Sequence, residues 1–423
     1  VAGQGRTTRR RAAGRGRTPA RGTVRRRAAA SLLGCLLVAS GCSAPTATDA
    51  ATGAIEHTLD QRADALLDRD ESGYLAAVDP AADALLAAER RTYRNLVDVP
   101  VRSWEYEVRD VERSGMHATA RVELRYRMED YDSAPVTSAR TMELTERDGR
   151  WYVTADRPGE GGVQQLWQQG AVDVVHGRRS LILGVGQDND RLREIAAAAD
   201  RAVPAVDEAW PGEWSGRVVV LVPESVESMA GLLGATTTSY RGIAAVTTGE
   251  TRQQEGSSPA DRVIVNPDAY SILGDFGRRV VLTHETTHVA TRADTSKATP
   301  MWLSEGFSDW VAYRDTSPVD GQAAPELERS LRGGNLPAAL PEDGDFAFDA
   351  KADELARAYE GGRLACELIA ERWGESKLTD FYRAVGEHEK REGAVEDAMN
   401  EVLSVTPDEF GGLWRDYMRE RLR

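Results

Sequence analysis

Several things are scarce in this 423-residue chain. Three cysteines are too few for a disulfide framework to hold it together. Long apolar runs are missing, and with 29% charged residues and a mean hydropathy of −0.46 the chain is not a polytopic membrane protein. It has no internal repeat, no Gly-x-Ser-x-Gly elbow, no P-loop and no dinucleotide fingerprint. The glycine pairs Gly161-Gly162 and Gly333-Gly334 stand in loop-like surroundings. What is present is enough sequence for two or three domains with a sizeable core.

Positive charge is scarce too, once its distribution is considered. The net charge is −15, but Val1 to Gly41 holds ten arginines and no acid, leaving 43 basic against 68 acidic residues in the rest, a charge of about −25. A body this acidic argues against nucleic acid as partner, because phosphate contacts need clustered Lys and Arg. The acidity reads first as a soluble, self-repelling surface, and only weakly as a preference for basic substrates.

The basic start is followed by an apolar stretch, Ala28 to Ser40, and then Gly41-Cys42. This is the layout of a signal peptide over residues 1–41, with an apolar region too short to span a bilayer. Val38-Ala39-Ser40-Gly41-Cys42 resembles a bacterial lipobox, which implies cleavage before Cys42, lipid on its sulfur and an extracytoplasmic protein anchored to the cell membrane. Cys35 has too little apolar sequence before it to serve. Residues 42–54, rich in Ala, Thr and Ser, suit a flexible tether. Cys366 lies in an apolar helical stretch and reads as a small core residue.

Beyond the tether, the fold class is α+β. Ile55 to Leu67 and Ala81 to Leu96 carry helical periodicity. Val101 to Val111, His117 to Arg127, Thr137 to Arg147 and Arg150 to Ala155 alternate as strands, separated by turn signals such as Ser114-Gly115 and Asp148-Gly149. Helices followed by a four-strand meander over 55–160, closing on Asp148-Gly149-Arg150-Trp151-Tyr152-Val153, resemble the nuclear-transport-factor-2-like α+β domains, in which a spacer or docking role is the expectation. Pro158 to Gly162 is a linker by composition. In 163–423, strands at Ala171–Val175, Ser180–Gly184, Arg217–Val222, Ile243–Thr248 and Asp261–Asn266 surround a long helix at Asp190–Trp210. From Phe276 onward the pattern is helical.

At the junction of the strand-rich and helical halves stands Thr283-His284-Glu285-Thr286-Thr287-His288. Two histidines four apart project from one helical face, one turn apart, and can reach a single zinc ion. Glu285 lies one residue round from His284, where it can act on a water as general base without being a ligand. Val280, Val281 and Leu282 before the motif and Val289-Ala290 after it mark a largely buried helix. Buried imidazoles need partners, and a metal is the simplest shared one. The remaining histidines, His57, His117, His176 and His388, are isolated and add nothing by spacing.

Downstream runs Pro300-Met301-Trp302-Leu303-Ser304-Glu305-Gly306-Phe307-Ser308-Asp309-Trp310. Together the two segments resemble the gluzincin zinc metallopeptidases of the peptidase MA-like superfamily. The resemblance covers roughly Phe276 to Trp373. It implies a two-lobed gluzincin-type domain, Zn2+ as cofactor, Glu305 as third ligand beside His284 and His288, Asp309 as the residue orienting a ligating histidine, and Glu285 as catalytic base. Ala358-Tyr359-Glu360-Gly361-Gly362 matches an element of the aminopeptidase-like branch, whose tyrosine stabilises the oxyanion; here that is Tyr359. Asp261 to Asn266 is the corresponding candidate for an edge strand that pairs with an extended substrate. No Gly-x-Met-Glu-Asn element is present, so amino-exopeptidase activity does not carry over. The expectation is a zinc peptidase acting on peptides or proteins. Its rivals are an inactive module of the same fold that binds a ligand or partner, and a structural zinc protein.

Overall fold

A computed structural model describes residues 47–422, apart from 249–260, 315–323 and 348–349. The leader at 1–41 and the lipidation candidate Cys42 lie outside the described residues. No helix among the described residues is long and apolar enough to cross a membrane.

The first layer is built from α1 (Ala47–Leu67), α2 (Glu71–Leu75), α3 (Asp83–Val97) and the strands β1 (Val101–Ser114), β2 (His117–Met128), β3 (Val136–Arg147) and β4 (Arg150–Pro158). Ala51, Ile55, Leu59, Ala63 and Leu66 form the buried stripe of α1. The helix thus starts eight residues before Ile55 and takes in much of the stretch read as tether. Alanine-rich sequence suits a helix as well as a linker, and the burial of Ala51 makes the difference. The strands form an antiparallel meander in the order β1-β2-β3-β4. Asp148 and Gly149 both adopt positive φ between the paired Arg147 and Arg150, as a tight hairpin of the right-handed sheet requires.

After α4 (Leu166–Gln169) comes a second sheet, made of β5 (Val172–His176), β6 (Ser180–Val185), β7 (Val218–Val222), β8 (Ala245–Thr247) and β9 (Val263–Val265). Its order is β5-β6-β7-β9-β8, with β6, β7 and β9 parallel and the outer strands antiparallel to their neighbours. The long α5 (Asn189–Ala209) links β6 to β7, opened by the Asp188 side chain, which accepts from the Asp190 N–H. Then comes α6 (Val226–Leu233). β6 and β7 are buried along their whole length because both faces of the sheet are covered. Leu181, Leu183, Val219, Leu221, Val246 and Ile264 join the core of the meander layer, whereas Ile182, Val218, Val220, Ala245, Val263 and Val265 pack towards α5. The core of the meander layer therefore continues into the second sheet. Arg262 also reaches across to Asp132 with two hydrogen bonds of 2.7 and 2.8 Å.

One expectation is corrected by this order. β9, within Asp261–Asn266, is an interior strand, and among the described residues the edge beside it is β8. Two short apolar strands look alike in sequence, and only their pairing tells which lies outermost.

The rest is helical: α7 (Pro267–Ser271), α8 (Asp275–Thr291), α9 (Met301–Tyr313), α10 (Pro325–Arg332), α11 (Ala352–Trp373), α12 (Glu375–Gly386), α13 (Ala394–Ala398) and α14 (Pro407–Arg421). These helices enclose a separate core that includes Leu303, Phe307, Leu364, Phe381, Tyr382 and Trp414. Cys366 belongs to it, fully buried, with burial pushing its thiol well above the usual range, which suits an inert packing residue. α9 and α11 cross in close contact at Gly306 and Gly362. A Cβ on Gly362 would come within 2.6 Å of the Trp302 carbonyl oxygen, and one on Gly306 would collide with the Gly362 backbone. The chain is thus mixed α+β, with two sheets and a helical C-terminal half.

Candidate metal centre

α8 packs between the second sheet and α9. Leu282 and Val289 face the sheet-side core, while His284 and His288, one turn apart, face α9. α9 is short and almost wholly buried, and it presents Glu305, Ser308 and Asp309 to the histidines. The connection between the helices is tight. It begins with a 3₁₀ turn at Arg292–Asp294, and Thr295 bonds to the Thr291 carbonyl (3.0 Å) and to the Tyr382 hydroxyl (2.8 Å).

Three ligand-type atoms converge. His284 Nε2 lies 3.0 Å from His288 Nε2 and 3.2 Å from Glu305 Oε2, and His288 Nε2 lies 3.6 Å from the same oxygen. The remaining ring nitrogens are engaged from behind. His284 Nδ1 is 2.7 Å from Asp309 Oδ1, and an ionised carboxylate only accepts, so Nδ1 carries the proton. His288 Nδ1 is 3.3 Å from Ser308 Oγ, whose single proton goes to the Ser304 carbonyl 3.0 Å away, so Ser308 accepts here as well. Both Nε2 atoms are then lone-pair donors aimed at the carboxylate of Glu305.

Such a donor set suits a cation. Zinc bonds of about 2.0–2.1 Å at tetrahedral angles separate neighbouring ligand atoms by about 3.3 Å, which falls among the three separations observed. Among the described residues, His284, His288 and Glu305 are the group with the composition and spacing to hold a metal ion. The electrostatics agree. Burial opposes charge on His284, but Asp309 and Glu305 outweigh it and hold the imidazole well above the ordinary histidine pKa. Burial also opposes the Glu305 carboxylate, yet His288 and His284 bring it well below the usual range.

Glu285 is buried and its Oε2 accepts a 2.7 Å hydrogen bond from Thr247 Oγ1 on β8. Tyr359, on α11, is half-buried, with its ring centroid 6.2 Å from that of His284 and 5.2 Å from that of Phe346. The structure therefore brings His284, Glu285, His288, Glu305, Asp309 and Tyr359 into one neighbourhood. His57, His117 and His176 are exposed elsewhere, and His388 is not in the cluster. Sequence reasoning missed Ser308 and Thr247. Ser308 was within reach, because it follows Glu305 by three residues on the same helix face. Thr247 left no signal, being 38 residues from its partner.

No protein-family model and no curated protein matches the chain. Among solved structures, that of native yeast LTA4 hydrolase aligns with 66% of this chain and 43% of its own, at 13% identity and a TM-score of 0.34. The chain thus spans less than half the length of that protein, and a likeness this weak carries no argument about activity.

Proposed function

We propose that this chain is a zinc metallopeptidase of gluzincin type. The observation that carries the reading is the convergence of His284 Nε2, His288 Nε2 and Glu305 Oε2 within 3.6 Å of one another, with Asp309 and Ser308 behind the imidazoles and Glu285 alongside. His284, His288 and Glu305 would hold the metal. When bound, zinc supplies Lewis acidity, lowering the pKa of a water and polarising a carbonyl. Glu285 accepts the proton of the attacking water and passes it to the departing amine. Tyr359 donates its hydroxyl hydrogen bond to the oxygen on which negative charge develops. Asp309 and Ser308 keep both ring Nδ1 protons in place, so that each Nε2 stays a ligand.

The substrate in this reading is a peptide or protein, and nucleic acid is not a partner. The lipobox-like run ending at Cys42 supports an extracytoplasmic enzyme tethered to the bacterial cell membrane by lipid. The meander layer is read as a nuclear-transport-factor-2-like domain seated on the sheet of a two-lobed peptidase domain. The deciding measurement is the zinc content of the purified chain and of its Glu305→Ala variant. One zinc per wild-type chain, lost in the variant, is expected. No zinc in either after reconstitution overturns the reading in favour of an inactive scaffold.

A further inference from the structure

On the sheet-facing side of α8, Glu285 sits where a core residue would be expected, between Leu282 and Val289, both of which pack against the sheet. A carboxylate in that place is costly to bury unless it is hydrogen-bonded. β8 supplies one partner. Along this edge strand Val246 points to the meander side and Ala245 to the α8 side, so Thr247 also points at α8. Its side chain is fully buried, and Oγ1 lies 2.7 Å from Glu285 Oε2 and 3.2 Å from the Glu285 carbonyl oxygen. A hydroxyl has one proton to give, and the shorter contact to a charged acceptor is the stronger. β8 is fixed in turn by its register on β9, with Thr247 opposite Val263 and the Thr248 N–H bonded to the Arg262 carbonyl at 3.0 Å.

We propose that Thr247 is a positioning residue for the proposed general base. Its hydroxyl takes up Glu285 Oε2, sets the rotation of the carboxylate and directs Oε1 towards the reacting proton. A carboxylate that turns freely presents either oxygen in many directions, whereas one tied at Oε2 is held near a single productive geometry. The inference builds on the peptidase reading but concerns a contact that can be tested separately.

The test uses the full chain loaded with zinc and three variants, Thr247→Val, Thr247→Ser and Glu285→Ala, together with the Thr247→Val/Glu285→Ala double variant. On a peptide cleaved by the wild type, Thr247→Val is expected to lower kcat at least tenfold, with KM changed less than twofold and zinc content unchanged, and Thr247→Ser is expected to restore most of kcat. Valine keeps the shape of threonine, so a merely structural role would leave kcat alone. In denaturant unfolding, the midpoint shifts of Thr247→Val and Glu285→Ala are expected to be non-additive in the double variant. Wild-type kcat in Thr247→Val, failure of serine to rescue, or additive midpoint shifts overturns the inference. A zinc-loaded wild type that cleaves no peptide overturns the peptidase reading, and the positioning role with it, while non-additive midpoints would still show the hydrogen bond.

Discussion

Just beyond the C-terminal end of α8, Arg292 meets Asp261 at 2.6 Å, and the next residue, Arg262, grips Asp132 of the meander layer. Two turns back along the same helix, His284 and His288 meet Glu305. Both groups are largely buried and both join elements distant in sequence. They differ in what each atom offers its neighbour. In the first, cations alternate with anions, every contact is a donor facing an acceptor, and the charges cancel inside the protein. In the second, two imidazole nitrogens with their protons held elsewhere and a carboxylate oxygen point lone pairs at one place. A closed group of the first kind holds elements together. An open group of the second kind has the donor set to take up a cation. Burial and charge alone do not separate the two groups; the direction of the lone pairs does.

The sharpest way to break this contrast is to replace Glu285, the residue proposed to act as general base and not as a ligand. Glu285→Ala is expected to lower peptidase activity by roughly 100- to 10,000-fold while zinc content, measured on the same sample, stays at the wild-type level. Retained activity would remove the distinction between the ligands and the base. The complementary change is made in the closed group. Arg262→Met leaves Asp132 buried and unpaired, and its expected cost is about 3–5 kcal/mol in denaturant unfolding, with zinc stoichiometry unchanged. Loss of zinc without loss of stability would mean that the two groups are not separate.

Asp309→Asn sharpens the comparison from within the open group. The amide cannot hold the His284 Nδ1 proton as a carboxylate does, and zinc affinity, measured by competition with a chelator, is expected to fall about 10- to 100-fold. The smallest effect concerns Asp200, a carboxylate satisfied by neither metal nor deep ion pair. Burial alone would raise its pKa, but the Arg179 and Arg178 amides and the Ser180 hydroxyl bring it below the ordinary aspartate value. A carboxyl with a depressed folded-state pKa contributes stability that is complete above its unfolded value, about 3.9, and is lost as pH falls through the folded one. Stability of the wild type is therefore expected to decline more steeply below about pH 4 than that of Asp200→Asn, as read from unfolding midpoints across that range.

Much of this was legible in the chain itself. Alternation in β1 to β4 and the Asp148-Gly149 turn made the meander readable, because side chains on a strand switch faces at every residue. The cluster was legible where helical spacing brings side chains together, His284 and His288 one turn apart and Glu305 and Asp309 one turn apart, with Tyr359 in a short motif of its own. Gly306 and Gly362 were visible as letters but not as a crossing, since each is needed only because the other helix approaches. The start of α1 was obscured because Ala-rich sequence serves both helix and linker. The order of β8 and β9 could not be read from two apolar triplets.

By itself, then, the sequence determined most of the strands and helices and which residues of ligand type stand at helical spacing, because periodicity and i, i+4 spacing are properties of a single helix or strand. Only the tertiary structure decided which strand lies at the edge, which hydroxyl meets Glu285, and that the meander layer shares a core with the second sheet. Those are contacts between segments tens of residues apart, such as Thr247 with Glu285 or Asp132 with Arg262. Nothing local encodes them, since they exist only once both partners have been placed by the packing of everything between them.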